Sequence, residues 1–167
     1  MKTNRNPQLN LKLDANEPDP AARWHEGAAL AFLGGTLTLS LGGTQKDVWR
    51  EGDTLHLPLP PQATPRQIQD RAEAWLREEA KSYLNQLIAQ KSAMATRRAP
   101  RLALSFSARG HWIEVLGAEA VRCNWRLIEQ APAVIELAVS RAISALPPQD
   151  SGLDLFGSIF APPSHIA

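Results

Sequence analysis

The chain has 167 residues, with 18 Lys and Arg against 17 Asp and Glu and a formal net charge of +1. That length supports one domain with a substantial core rather than two, and the balanced charge supplies no field that would recruit nucleic acid or an anionic membrane. The single cysteine, Cys123, excludes an internal disulfide framework and a cysteine-based metal cluster. Met1 to Asp19 lacks the apolar core of a signal peptide and no 18-residue apolar run is present, so the expected setting is soluble and cytoplasmic, with no membrane partner.

In chain order, Met1 to Ala22 is polar, contains Pro7, Pro18 and Pro20, and is expected to be disordered or loosely attached. The domain proper is expected over residues 23–160, with 161–167 as a flexible tail. Ala28 to Leu33 is an apolar run that meets Gly34-Gly35. Leu37, Leu39 and Leu41 then alternate with polar residues, which predicts a hairpin with one buried face. Asp47 to Arg50 and Thr54 to Leu59 flank Glu51, Gly52 and Asp53 and predict a second hairpin, ended by Pro60-Pro61.

A long helix is predicted next. Thr64 and Gln67 form a capping box, and Pro65 occupies the first helical position, where its missing N–H costs nothing. Ile68, Ala72, Trp75, Leu76, Ala80, Tyr83, Leu84 and Leu87 recur at spacings of three and four, so one face is apolar to about Ala93, with Trp75 and Tyr83 as core. Strands are predicted over Arg101 to Ser107, His111 to Leu116 and Ala120 to Ile128. Pro132 opens a second amphipathic helix with Val134, Ile135, Ala138, Val139, Ala142 and Leu146 on its apolar side, stopped by Pro147-Pro148. A short helical piece is predicted over Leu153 to Phe160. The fold class is α+β, with a strand-rich N-terminal part, a long helix, a small antiparallel or mixed sheet and a second helix.

Asn124-Trp125-Arg126-Leu127-Ile128, followed by Pro132 and an apolar helix, resembles the L-N-W-R-L-I block of the YgjP-like and SprT-like zinc metallopeptidases. His111-Trp112-Ile113-Glu114-Val115-Leu116 stands where that family has R-W-G-S-C-S, and the resemblance extends over the long helix and the N-terminal strands, including Leu33-Gly34. It covers about Trp24 to Phe160 and implies a zincin-like fold.

In that family the helix after the block carries H-E-x-x-H and a third histidine follows in N-H-S. Two histidines one turn apart and a third ligand hold zinc with one open position, and the glutamate activates the metal-bound water. Counting from Ile128 without a gap, the first histidine position is Arg141, the glutamate position is Ala142, the second histidine position is Ala145, and the third falls at or near Ser151. An arginine has no lone pair to offer a metal, alanine has no donor atom, and a serine hydroxyl is a poor zinc ligand. His25, His56, His111 and His165 are too far apart in sequence to share a helix face. The resemblance therefore implies a family member without catalytic residues and without its expected zinc.

Ile113, Glu114 and Val115 also replace the family's polar triplet beside the cleft. Trp112, Trp125, Leu127 and Ile128 are what packing needs. Asn124 and Arg126 are expected to satisfy backbone groups or a carboxylate within the fold. Arg141 should face the former cleft with an internal carboxylate such as Glu114 or Asp150, and a position on the solvent side of its helix would count against the register. The function implied is a pseudoenzyme that binds a peptide or protein, because strand addition at a sheet edge needs no metal. The alternative is an active peptidase with a remodelled metal site. Arg97-Arg98 and Arg101 are the only local support for nucleic-acid binding.

Overall fold

A computed structural model describes residues 19–149. The readings over residues 1–18, at Asp150 and Ser151, and over Leu153 to the terminus lie outside the described residues. Within them the chain divides into two compact units, one containing the residues up to Leu30 and Thr36–Glu73, the other Ala31–Gly35 and the chain from Ala74 onward.

Within the segment expected to be loosely attached, Pro20 to Ala22 are helical. The Asp19 carboxylate accepts the Ala21 N–H and caps the one-turn helix α1 (Pro20–Arg23), and Trp24 is buried behind it. Strands β1 (Ala29–Phe32) and β2 (Gly35–Ser40) are joined by Leu33 and Gly34, both at positive φ (48° and 75°). Two successive positive φ values give the turn whose twist matches a right-handed hairpin. β3 (Trp49–Glu51) and β4 (Thr54–His56) form the second hairpin, antiparallel, with Glu51 in the strand and Gly52 at φ 56° in the turn. β4 also runs parallel to β2, so the sheet order is β1-β2-β4-β3. Leu37, Leu39, Leu55 and Leu57 are its buried face.

Helix α2 runs 30 residues, Pro65–Met94. The capping box is made: the Gln67 side-chain oxygen accepts the Thr64 N–H at 2.9 Å, and the Thr64 hydroxyl accepts the Gln67 N–H at 3.3 Å. The fully buried positions are Ile68, Ala72, Leu76, Ala80, Leu84 and Ile88. Every fourth residue advances about 40° beyond a full turn, so the buried stripe winds around the helix. This corrects the straight face that included Trp75, Tyr83 and Leu87, all of which are half-buried. Trp75 packs on Phe32 with ring centroids 5.2 Å apart. At the far end Thr96 takes a positive φ of 52°, Arg97 N–H donates to the Ser92 carbonyl and Thr96 N–H to that of Ala93, the bond pattern that closes a helix after a left-handed residue.

The second sheet has β5 (Arg101–Ser105), β6 (Ile113–Leu116) and β7 (Ala120–Asn124) in the order β5-β7-β6, with β5 parallel and β6 antiparallel to β7. It is a mixed sheet in an α+β fold, and β6 forms one edge. The strand predicted to continue to Ile128 instead stops at Asn124, and Trp125–Glu129 is a 3-10 helix that buries Trp125, Leu127 and Ile128. His111 and Trp112 precede β6 rather than belonging to it. Helix α3 (Pro132–Ala145) follows and packs beside β6. Its buried residues are Ile135, Val139 and Ile143, while Val134, assigned to the apolar side from the sequence, is exposed. No helix among the described residues is long and apolar enough to cross a membrane.

Cys123 on β7 is fully buried, and loss of solvation pushes its thiol from 9.0 up to about 12. The folded chain should therefore resist thiol reagents at neutral pH and react once urea unfolds it; fast labelling of the native protein would contradict this burial. The unfolded thiol ionises first as pH rises, so this group removes stability progressively between about pH 9 and 12.

Candidate functional site

The 3-10 helix is placed by Asn124. Its side-chain oxygen accepts the Arg126 N–H at 3.0 Å and its Nδ2 donates to the Ser107 carbonyl at 2.9 Å. One side chain thus caps the turn and ties the 107–112 loop to it. The Arg126 guanidinium donates to Glu129 at 3.0 Å and lies 4.7 Å from the centroid of the Trp125 ring. Backbone groups and a carboxylate are the partners expected for this polar pair from the sequence. Removing them in Asn124→Ala should cost about 1 to 2 kcal/mol, measured by urea unfolding, with Asn124→Asp retaining the cap and falling between.

Around these residues lies a hollow of about 160 Å³ lined by Ser107, Arg109, His111, Trp112, Asn124 and Arg126 among others. The structure therefore brings together four of the residues singled out from the sequence: His111, Trp112, Asn124 and Arg126. Trp112 is 48% exposed and Phe106, which the sequence reading passed over, is 62% exposed. Arg77 on α2 was also missed. Its guanidinium lies 5.4 Å from the Phe106 ring centroid and 5.3 Å from that of Trp125, so cations and rings alternate from Phe106 through Arg77 and Trp125 to Arg126. Helical spacing gives no signal for that role.

Glu114 is on β6, where Arg122 on β7 holds it at 3.3 Å across the directly opposed pair. It is not the counter-ion of Arg141. Arg141 lies on the exposed side of α3 and has no hydrogen bond or ion pair among the described residues. The buried, internally paired guanidinium expected from the sequence is not found with any described carboxylate. Ala145, one turn on, is also exposed, and Ala142 between them is half-buried. The exposed position of Arg141 is the outcome that counts against the gapless register, so the assignment of 141, 142 and 145 to metal positions rests on the sequence count alone.

The basic link after α2 is largely committed to the fold. The Arg97 guanidinium donates to the carbonyls of Leu146, Ala118 and Pro147 at 3.1 to 3.3 Å. Arg98 and Gln149 exchange two hydrogen bonds, backbone N–H to Oε1 and Nε2 to carbonyl. Together they fasten the C-terminal end of α3.

This geometry now stands beside a family comparison. The profile described as YgjP-like, metallopeptidase domain, matches residues 7–139. The chain belongs to the YgjP-like metallopeptidase family. No curated protein and no solved structure gives a significant match. The YgjP-like match takes in both sheets, α2 and the Asn124–Ile128 block, and it ends two residues before Arg141, so the positions read as vacant ligands lie beyond it. The residues there do not fit the zinc that the family implies. Arg141 and Ala145 offer no lone pair, and no group of three or more His, Cys, Asp or Glu that could hold a metal ion occurs among the described residues.

Proposed function

We propose that this YgjP-like domain is a non-catalytic peptide- or protein-binding module. The observation that carries the proposal is the donor set on α3: a guanidinium and two methyl groups at positions 141, 142 and 145, where the family's chemistry needs two imidazoles and a carboxylate. The register rests on the count from Ile128 without a gap, not on the packing of α3, where Arg141 and Ala145 are exposed and Ile143 is buried.

What remains is a surface for an extended chain. β6 is the edge of its sheet with α3 beside it, and an added strand is held by backbone hydrogen bonds that owe nothing to a metal. Arg141 supplies a cation for an acidic side chain or a terminal carboxylate. The test uses the full chain, extended peptides and a chelator. Binding at about 10 to 100 μM that survives chelation, with no peptide cleaved in the presence or absence of added zinc, is the expected result. Turnover that zinc restores after chelation would establish the peptidase alternative instead.

A further inference from the structure

The loop between β5 and β6 is tied at both ends to the last residue of β7. Asn124 donates its backbone N–H to the Trp112 carbonyl at 2.8 Å and its Nδ2 to the Ser107 carbonyl at 2.9 Å, and inside the loop the Ser107 hydroxyl accepts the Arg109 N–H at 3.2 Å. The hollow of about 160 Å³ beside this loop has a one-sided charge: Arg109, His111 and Arg126 line it, and no Asp or Glu does. Glu129 neutralises Arg126. The side chains of Arg109 and His111 are exposed and have no hydrogen bond or ion pair among the described residues, so the fold does not use them. A guanidinium and an imidazole beside a half-exposed indole suit an anionic group carried on an apolar stem. The volume equals about five water molecules at ~30 Å³ each, the room of one side chain.

The hollow adjoins the start of the β6 edge, because Trp112 lines it and directly precedes Ile113. The antiparallel register that pairs Ile113 with Cys123 continues to Trp112 opposite Asn124, where the 2.8 Å bond is made. Bonded and non-bonded pairs alternate along such a ladder. Trp112 and Glu114 therefore turn their backbone groups to β7, and Ile113 and Val115 turn theirs to the open edge. A peptide strand held by Ile113 and Val115 places one residue level with Trp112. Directly opposed residues share a face, with Cβ atoms about 5 Å apart, so that residue's side chain falls on the side of the hollow.

We propose that the hollow recognises an acidic side chain of a peptide added along β6, with the carboxylate on Arg109 and His111 and the stem against Trp112. This rests on the peptide-binding function proposed above and names the residue type such a peptide must carry. A nucleic-acid strand would need cations repeated along its backbone, and one hollow in a chain of net charge +1 does not supply them.

The test uses the full chain and two fluorescently labelled pools of short peptides. Both are randomised without Asp or Glu except at the central position, which is Glu in one pool and Gln in the other. By fluorescence anisotropy the Glu pool is expected to bind at least about tenfold more tightly, and Arg109→Gln should bring the two pools to within about twofold. Urea unfolding of Arg109→Gln should match the parent chain, since that side chain has no partner among the described residues. Equal binding of the two pools by the parent chain, or a preference for Glu that survives Arg109→Gln, would overturn the proposal and leave peptide binding standing. Binding of neither pool would retire both. Labelled oligothymidylate held more tightly than the Glu pool, and released by Arg109→Gln, would identify nucleic acid as the occupant and overturn the proposal as well.

Discussion

Gly34→Ala is expected to lower the stability of the domain by about 2 to 4 kcal/mol, the largest loss from any single methyl group considered. Gly34 sits at φ 75°, and a Cβ built there would lie 2.7 Å from the Ala131 Cα and 2.9 Å from its Cβ. The obstruction includes backbone, which cannot rotate out of the way. The Leu33 N–H donates to the Ile128 carbonyl at 2.7 Å and the Gly34 N–H to that of Glu129 at 3.2 Å. The tip of the first hairpin thus holds the end of the 3-10 helix just before α3 begins, and the added methyl would push the two apart.

Two further glycines separate the contributions. Gly27 has a φ of 76° with nothing within 4 Å of a built Cβ, so Gly27→Ala should cost only the backbone strain, about 1 to 2 kcal/mol. Gly43 has neither a positive φ nor a neighbour within 4 Å, and Gly43→Ala should change stability by less than about 0.5 kcal/mol. Urea unfolding of the three proteins reads the series. A Gly34 variant no worse than the Gly27 variant would mean that the hairpin tip does not press on Ala131.

The second large effect is a gain. Arg141→His, Ala142→Glu, Ala145→His and Ser151→His together should give a chain that binds about one equivalent of zinc. The order of the substitutions distinguishes register from chance. Arg141→His with Ala145→His supplies two ligands one helical turn apart on the exposed side of α3, and two ligands hold zinc weakly. Adding Ser151→His closes the three-ligand set and should raise affinity by orders of magnitude. Ala142→Glu should leave zinc content unchanged, since in this arrangement the carboxylate acts on bound water rather than on the metal. Zinc titration with a competing chelator measures each step. If the four-residue variant binds no better than the two-histidine variant, residue 151 does not reach the helix and the register beyond Ala145 is wrong.

Local signals were the legible part of this fold. The Thr64–Gln67 box and Pro65 fix the start of α2 through contacts within one turn, and the glycines at 34 and 52 mark the two hairpins because each turn needs a positive φ. What the sequence did not reveal depends on distant partners. That β2 pairs with β4 in parallel, leaving β3 outermost, follows from nothing in either strand. Trp125-Arg126-Leu127-Ile128 reads as the continuation of a strand because it is apolar, yet it folds as a 3-10 helix; the available signal was Asn124, a residue type that favours the position before a helical turn. The winding stripe of α2 looked straight because spacings of three and four were counted together.

The candidate site divides in the same way. The identities at 141, 142 and 145 could be judged against zinc from side-chain chemistry alone, and the partners of Asn124 and Arg126 follow from their need for hydrogen bonds. Of the two counter-ions expected for Arg141, Glu114 is taken by Arg122, directly opposite it on the neighbouring strand, a matter of strand register, and Asp150 lies outside the described residues. Arg77 and Phe106 escaped notice because their stack with Trp125 joins three segments well separated along the chain.

The central claim is that this YgjP-like domain has kept its scaffold while the chemistry at the metal positions has gone. Its most direct test is the metal content of the unmodified full chain, purified without chelator and analysed for zinc by mass spectrometry. Less than about a tenth of an equivalent is the predicted result, since a three-ligand site of this family's kind would retain its metal through purification. Stoichiometric zinc, retained after dialysis, would contradict it.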